Sequence, residues 1–289
     1  MKFLTIVFSS LLIFSTQLFS VTEEEKAYVV EVTKIWDSLN KQHGEIKLPN
    51  NVATLNVPEE FFYLNPTDAE TLLTKIWGNP PSSTQNLGML LPSGKTPMES
   101  NSWGVTIDYE EDGYVSDEDV DDIDYDDLLS DMQSSTEKAS EARVKMGYEP
   151  ITLVGWASKP YYDELTNKLY WAQEIKFGSQ EVNTLNYNIR ILGRKGVLIL
   201  NFIAGMEQLD EINSQIDTVL KIAEFNTGSR YSDFNPDIDT VATYGVGALI
   251  AGKVAAKVGL FAVILLFLKK FWILLVLFGG GILKKITGK

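Results

Sequence analysis

The chain has 289 residues, 45% of them apolar, with no cysteine, one histidine and a formal net charge of −14. Without thiols there are no disulfides, no lipid-modified cysteine and no thiol catalysis, and a single imidazole excludes metal sites that need several. Over residues 21–240, 17 basic residues face 39 acidic ones, a net of −22, and so acidic a body repels nucleic acid.

At the N-terminus, Lys2 precedes an apolar run from Phe3 to Phe14 and a short polar tail ending at Ser20. This is the anatomy of a secretory signal peptide over 1–20, too short to span a bilayer comfortably. Leu18 stands where cleavage sites prefer a small residue, so an uncleaved anchor is the second reading. The body then occupies 21–240. Thr22 and Glu25 form a capping box, and Tyr28, Val32, Ile35 and Leu39 share one face of a helix expected to stop at Gly44. His43 lies at that helix end, a solvent position rather than a catalytic one. Extended pieces follow over 52–57 and 60–64. A second helix, 66–77, is capped by Asn65 or Thr67 and closed by Gly78, with Asn79-Pro80-Pro81 forbidding its continuation. Strands are expected over 88–91 and 103–109.

Residues 108–131 then hold thirteen carboxylates in twenty-four positions. Against a calcium loop, Asp108, Glu110, Asp112, Gly113, Tyr114, Ser116 and Asp119 fall at positions 1, 3, 5, 6, 7, 9 and 12. Calcium is the one cofactor this pattern admits. Glu110 is long for its position, Asp119 is short for the closing ligand, and a strand precedes the loop rather than a helix. The competing reading is a hairpin that turns at Asp112-Gly113, with Asp117–Asp122 leading into a helix over 123–146. Carboxylates at that helix start are favourable against its dipole.

Four strands with turn signals between them follow: 151–157, 168–177, 182–192 and 196–204. A tight connection is expected at Gly193-Arg194-Lys195-Gly196. An amphipathic helix over 206–225 completes the body, with Leu209, Ile212, Ile216, Val219 and Ala223 inward. Strands in series followed by helices indicate an α+β fold, an antiparallel sheet packed with helices. In 182–192 the residues Thr184, Asn186, Asn188 and Arg190 share one face, while the neighbouring run 197–203 reads as apolar on both faces and so must be covered on both. That polar row, with Glu174 as a partner for Arg190, is either a ligand pocket (Glu174, Asn186, Asn188, Arg190) or an internal hydrogen-bond network.

The C-terminal 241–289 carries seven lysines and no acid. It reads as a transmembrane anchor that crosses either over 245–268 or over 258–283. The first leaves Lys269, Lys270, Lys284, Lys285 and Lys289 together on the cytoplasmic side, which the positive-inside rule prefers. The second places Lys269 and Lys270 mid-bilayer, at roughly 2.5–3.5 kcal/mol each. Small residues four apart, Gly247, Ala251, Ala255 and Gly259, with Ala248, Gly252 and Ala256 beside them, let helices approach closely in lipid. Their functional reading is self-association. The run 247–254 mimics a phosphate loop, but Val254 replaces the magnesium-binding hydroxyl and no strand precedes the glycines.

The segments WGNPP (77–81), EEDGYVSDED (110–119), IDYDDLL (123–129), VGWASKPYYD (154–163), KLYWAQE (168–174) and NTLNYNIRILGRKGVL (183–198) resemble a bacterial family of membrane-anchored proteins. That family is catalogued as domain of unknown function 2167. FNTGSRYSDFNP (225–236) and YGVGALIAGKVAAKVGLF (244–261) extend the resemblance, which runs from about residue 45 to 261. It implies a signal peptide, an extracytoplasmic domain and a C-terminal anchor, and it carries no catalytic residue. The order of strands and helix is also similar, at the level of fold alone, to antiparallel sandwiches of the photosystem-II PsbP type. The expected protein is a membrane-anchored, extracytoplasmic interaction or assembly module rather than an enzyme. Its partners would be the lipid bilayer and another membrane or envelope protein or a second copy of itself, with no nucleic acid. The alternatives are a small-ligand binder or enzyme working through the polar row, or a calcium-binding module over 108–119.

Overall fold

The computed structural model describes residues 23–82 and 86–251. The expected signal peptide, 1–20, lies outside these residues, as does most of either proposed crossing. Among the described residues no helix is long and apolar enough to cross a membrane. The chain divides into two units, Met1–Ser38 and Leu39–Lys289. In the first, α1 (Glu23–Ser38) ends earlier than the spacing predicts. In the second, Gly44 adopts a positive φ of 80° and opens a strand instead of closing a helix.

The second unit runs β1 (Gly44–Lys47), β2 (Ala53–Val57), β3 (Phe61–Leu64), α2 (Pro66–Thr71), β4 (Met89–Pro92), β5 (Gly104–Glu110), α3 (Tyr125–Lys145), β6 (Ile151–Asp163), β7 (Lys168–Phe177), β8 (Thr184–Leu192), β9 (Val197–Gly205), α4 (Leu209–Ile222), β10 (Ala223–Phe225) and α5 (Val246–Ala251). All pairings between these strands are antiparallel, in a seven-stranded sheet ordered β3-β4-β5-β9-β8-β7-β6 and a three-stranded sheet ordered β1-β2-β10. The expected α+β class is therefore found.

Local chemistry explains most boundaries. The Asn65 side chain accepts from the amides of Thr67 and Asp68 at 2.9 and 3.0 Å, and Pro66 needs no donor at the first helical position. The helix then widens into a π-helical stretch, Leu72–Ile76, that buries Leu72 and Ile76. The Asp124 carboxylate caps α3 at 2.9 Å from the Asp126 amide and 3.1 Å from that of Asp127. These amides, Asp127 first, hold the Asp124 carboxyl below the usual carboxylate range. Acids in the first turn of α3 and Arg143 and Lys145 in its last complement its dipole. β6 runs on through Pro160 to Asp163, beyond the expected end, because it is the edge of the sheet, where a missing donor is tolerated.

Two further elements differ from expectation. Ala223–Phe225 leave the amphipathic helix and pair with β2 as β10. The residues after Asp112-Gly113 do not fold back on β5 as a hairpin. Tyr114 instead bridges in parallel to Val241, with Tyr114 N to Thr240 O and Ala242 N to Tyr114 O both at 2.8 Å.

The large sheet is covered on both faces. Val105, Ile107, Ile189, Leu200 and Phe202 pack with α4 (Ile212, Val219, Ile222) and with Leu55 and Phe225 of the small sheet. On the opposite face Leu169, Trp171, Val197 and Ile199 pack with Val246, Leu249 and Ile250 of α5, and Leu128 and Met132 of α3 lie against them. This is the double burial that the apolar run 197–203 predicts.

Candidate functional site

The strand register brings polar side chains together on the α5 face of the large sheet. One row crosses four strands as Thr106 (β5), Asn201 (β9), Asn188 (β8) and Trp171 (β7). The next row holds Asp108, Ile199, Arg190 and Leu169. Strand neighbours directly opposite share a face, so these residues meet although they are far apart in sequence. Thr106 and Asn188 are only 8% and 5% exposed.

Within this array the Arg190 guanidinium lies over the Trp171 ring at 4.7 Å. It donates to Ile189 O at 3.3 Å and to Asn188 Oδ1 at 3.4 Å. Asn188 Nδ2 donates to Asn186 Oδ1 at 2.8 Å, so the expected row does form a chain of side chains. Burial lowers the Arg190 pKa to about 10, opposed by the charges of Glu110 and Asp108, and the group stays cationic at neutral pH. Burial pushes the Asp108 carboxyl up to about 6, opposed by Arg190 and reinforced by Glu110. A cavity of about 510 Å³ opens over these groups, with Leu73 and Ile199 on its apolar side. Two buried polar atoms of the array have no hydrogen-bond partner, Asn201 Oδ1 and Trp171 Nε1. A groove of about 750 Å³ between α3 and the start of β6 is larger, but its walls are mostly exposed Ser, Gln and Glu side chains.

One member of the expected pocket is placed elsewhere. Glu174 sits opposite Leu185, on the face away from Arg190, and its carboxylate accepts from Asn183. The expected Glu174–Arg190 pair is therefore corrected to Arg190 with Asp108 and Glu110. The alternation in β7 already carries this result, because Glu174 and Trp171 differ by an odd number of positions. Asn201 and Thr106 were missed as well. The one legible signal was an asparagine inside the apolar run VLILNFI.

The residues of the calcium pattern are shared among separate tasks. Asp108 belongs to the cavity, and Glu110 lines it too. Asp112 Oδ2 accepts from the Tyr244 hydroxyl at 2.6 Å. Tyr114 stacks between Tyr231 and Phe234, at 4.4 and 3.9 Å between ring centroids. Asp119 accepts from the amides of Val246 and Gly247, at 2.8 and 3.2 Å, and so caps α5. Between them, Asp117 accepts from the hydroxyls of Tyr162 and Tyr231, at 2.8 and 3.1 Å. Burial pushes both phenols up, which keeps them as donors. Among the described residues no group of three or more acidic or imidazole side chains is arranged to hold a metal ion.

The acidic stretch thus clasps residues 240–247. A Cβ on Gly245 would stand 2.3 Å from the Asp119 carboxylate, and one on Gly113 2.6 Å from Thr240 O. Of the small-residue stripe, Gly247 faces Ile123 and Asp119 of the body, and Ala251 ends the described residues. Gly252, Ala255 and Gly259 lie outside them. Residues 247–251 of the apparent phosphate loop are helical.

An antiparallel sheet with helical cover on both faces, a polar cleft on one of them and an acidic clasp at its rim define an α+β module. Residues 40–280 match the family described as Protein of unknown function (DUF2167), and the chain belongs to that family. No curated protein sequence matches it. Among solved structures the chain is similar to cyanobacterial PsbP (CyanoP) from Synechocystis sp. PCC 6803, at 10% identity and a TM-score of 0.35, over 65% of this chain and 93% of that one. It is similar also to the Saccharomyces cerevisiae Ran-binding protein Mog1p, at 10% identity and a TM-score of 0.30, over 68% of this chain and all 100% of that one.

Proposed function

We propose that the protein is a membrane-anchored, extracytoplasmic module that presents its α+β body to a protein partner, and that it is not an enzyme. The observation that carries this reading is the clasp. A flexible tether would suffice to keep an enzyme near a membrane. Here Asp112, Asp119 and Tyr114 fix residues 240–247, which lead directly into the lysine-rich apolar tail. A fixed root sets the orientation of the body, which matters for docking. Val246, Leu249 and Ile250 are already buried in the body. That supports a crossing over 258–283 rather than 245–268, with the apolar flank offsetting the cost of Lys269 and Lys270. The tail would leave its C-terminus in the cytoplasm, and 1–20 would serve as the export signal.

Topology reporters test this. A reporter after Lys289 should behave as cytoplasmic and one near Gly228 as exported. A reporter after Lys270 should be exported for the crossing at 258–283, because half the span is then missing, and cytoplasmic for the crossing at 245–268. Reporters after Lys289 and near Gly228 that fall on the same side would exclude a single crossing. Pull-down from detergent extracts should return one stoichiometric protein partner or a second copy of the chain.

A further inference from the structure

We propose that the trough over the ends of β7, β8 and β9, beside the C-terminus of α3, binds a small organic carboxylate with an apolar body, its carboxylate paired with the Arg143 guanidinium. This site is independent of the membrane anchor. Phe177, Thr184 and Ile203 stand an even number of positions from Trp171, Asn188 and Asn201, so they share the face on which α3 and α5 pack. Residues 197–200 of β9 are buried, but Ile203 on the same central strand is partly exposed. A cavity of about 580 Å³, within the size range of small-ligand sites, opens there and is lined also by Trp77, Arg143, Tyr148 and Val182. Val182 is 44% exposed, and the Trp77 ring is fixed by the bond from its Nε1 to Pro97 O at 3.0 Å. Together with Ile203 they offer uncovered apolar surface to the body of a ligand.

The end of α3 builds the recognition group. Gly147, at a φ of 85°, closes the helix in a Schellman motif: its amide donates to Val144 O at 3.0 Å, and the Tyr148 amide donates to Arg143 O at 3.1 Å. That reversal brings Tyr148 back beside Arg143, and the guanidinium carbon lies 5.6 Å from the ring centroids of both Tyr148 and Phe177. Arg143 Nε donates to Glu149 O at 3.3 Å. Two rings and one hydrogen bond therefore orient the planar group. Its two terminal nitrogens have no hydrogen-bond or ion-pair partner among the described residues, and Arg143 is only partly buried. A guanidinium held in this way presents two parallel N–H groups that match the two oxygens of a carboxylate. Glu149, the other charged residue of the lining, makes no ion pair with Arg143. Its carboxylate lies against the turn after β7, 2.8 Å from where a Cβ on Gly178 would stand. The net −22 of residues 21–240 repels anions over long range, so saturable binding of a carboxylate reports a local site and not the general field.

Calorimetric titration of the full chain in detergent, with detergent-only blanks subtracted, tests this with 3-phenylpropionate, its neutral isostere 3-phenylpropanamide, the cation 3-phenylpropylamine and the bare carboxylate acetate. At about pH 7.5 and about 0.15 M salt, one 3-phenylpropionate should bind per chain, about tenfold or more tighter than the amide, the amine or acetate. Arg143→Lys keeps the charge but loses the fork, and should weaken 3-phenylpropionate about tenfold. Arg143→Gln should abolish the preference for the acid over the amide. Val182→Asp, a change at an exposed side chain of the lining, should weaken the acid and leave the amide unaffected. Melting temperatures close to that of the wild type show that these variants still fold. Absence of saturable 3-phenylpropionate binding overturns the proposal. Equal affinity for acid and amide does so too, because the trough would then be an apolar trap without a carboxylate anchor. A preference for the amine, or a preference for the acid that survives Arg143→Gln, overturns it as well.

Discussion

Burial raises the Asp108 carboxyl from its ordinary 3.8 to about 6. The folded state therefore holds that proton more tightly than the unfolded chain does. Below the unfolded value both states are protonated and the contribution is fully present. Between the two values stability falls as pH rises, and above about 6 the loss is complete. Asparagine mimics the protonated acid. Asp108→Asn should then stabilise the fold at neutral pH by about 1–2 kcal/mol, discounted for partial exposure, and change little near pH 3. Urea midpoints at the two pH values check it, and an equal effect at both would remove the desolvation account. Asp119 serves the fold through hydrogen bonds instead. Its oxygens accept two helix amides, and its neighbour Gly245 has no room for a side chain.

Elements were legible where their signals are local. The cap at Asn65, the stop at Gly78 and the turn at 193–196 follow from one or two side chains each, and each stands where the sequence puts it. Elements made by pairing were not. Nothing local distinguishes Ala223–Phe225 from the helix before it, because the partner that makes it a strand, Ala53–Leu55, lies far away in sequence. The turn between β8 and β9 shows how a local choice serves a distant one. Gly193 N bonds to Gly196 O at 2.8 Å, and a Cβ on Gly196 would lie 2.0 Å from Glu110 O at the end of β5. Backbone cannot yield as a flexible side chain can. Gly196→Ala should destabilise by about 1–3 kcal/mol, as overpacking does. Gly155→Ala, with open space at its Cβ, is the matched control in β6 and should leave the urea midpoint almost unchanged.

At the scale of the whole molecule, the body continues past residue 240. A chain ending there would lose the Tyr114–Val241 bridge, the Tyr244–Asp112 bond and the α5 contacts of Val246, Leu249 and Ile250. Each fully buried aliphatic side chain is worth about 1.5–3 kcal/mol, and three of them approach the whole stability of a typical domain, about 5–15 kcal/mol. A chain ending at 240 should therefore melt many degrees lower than one ending at 251, or lose its cooperative transition. Equal melting temperatures would mean that α5 only rests on the body.

Composition, charge segregation and periodicity determined the class of fold, the absence of thiol chemistry and the two-faced burial of 197–203. These are properties of stretches a few residues long, or of sums over the chain, and need no knowledge of what packs where. The tertiary structure alone decided the use of the carboxylates. Asp108, Asp112 and Asp119 look equivalent along the chain. One was sent to a cleft beside Arg190, one to a tyrosine and one to a helix end. The reason is physical. A carboxylate's role depends on which donor or cation reaches it, and here each comes from at least eighty residues away in sequence, joined by register and packing rather than by spacing.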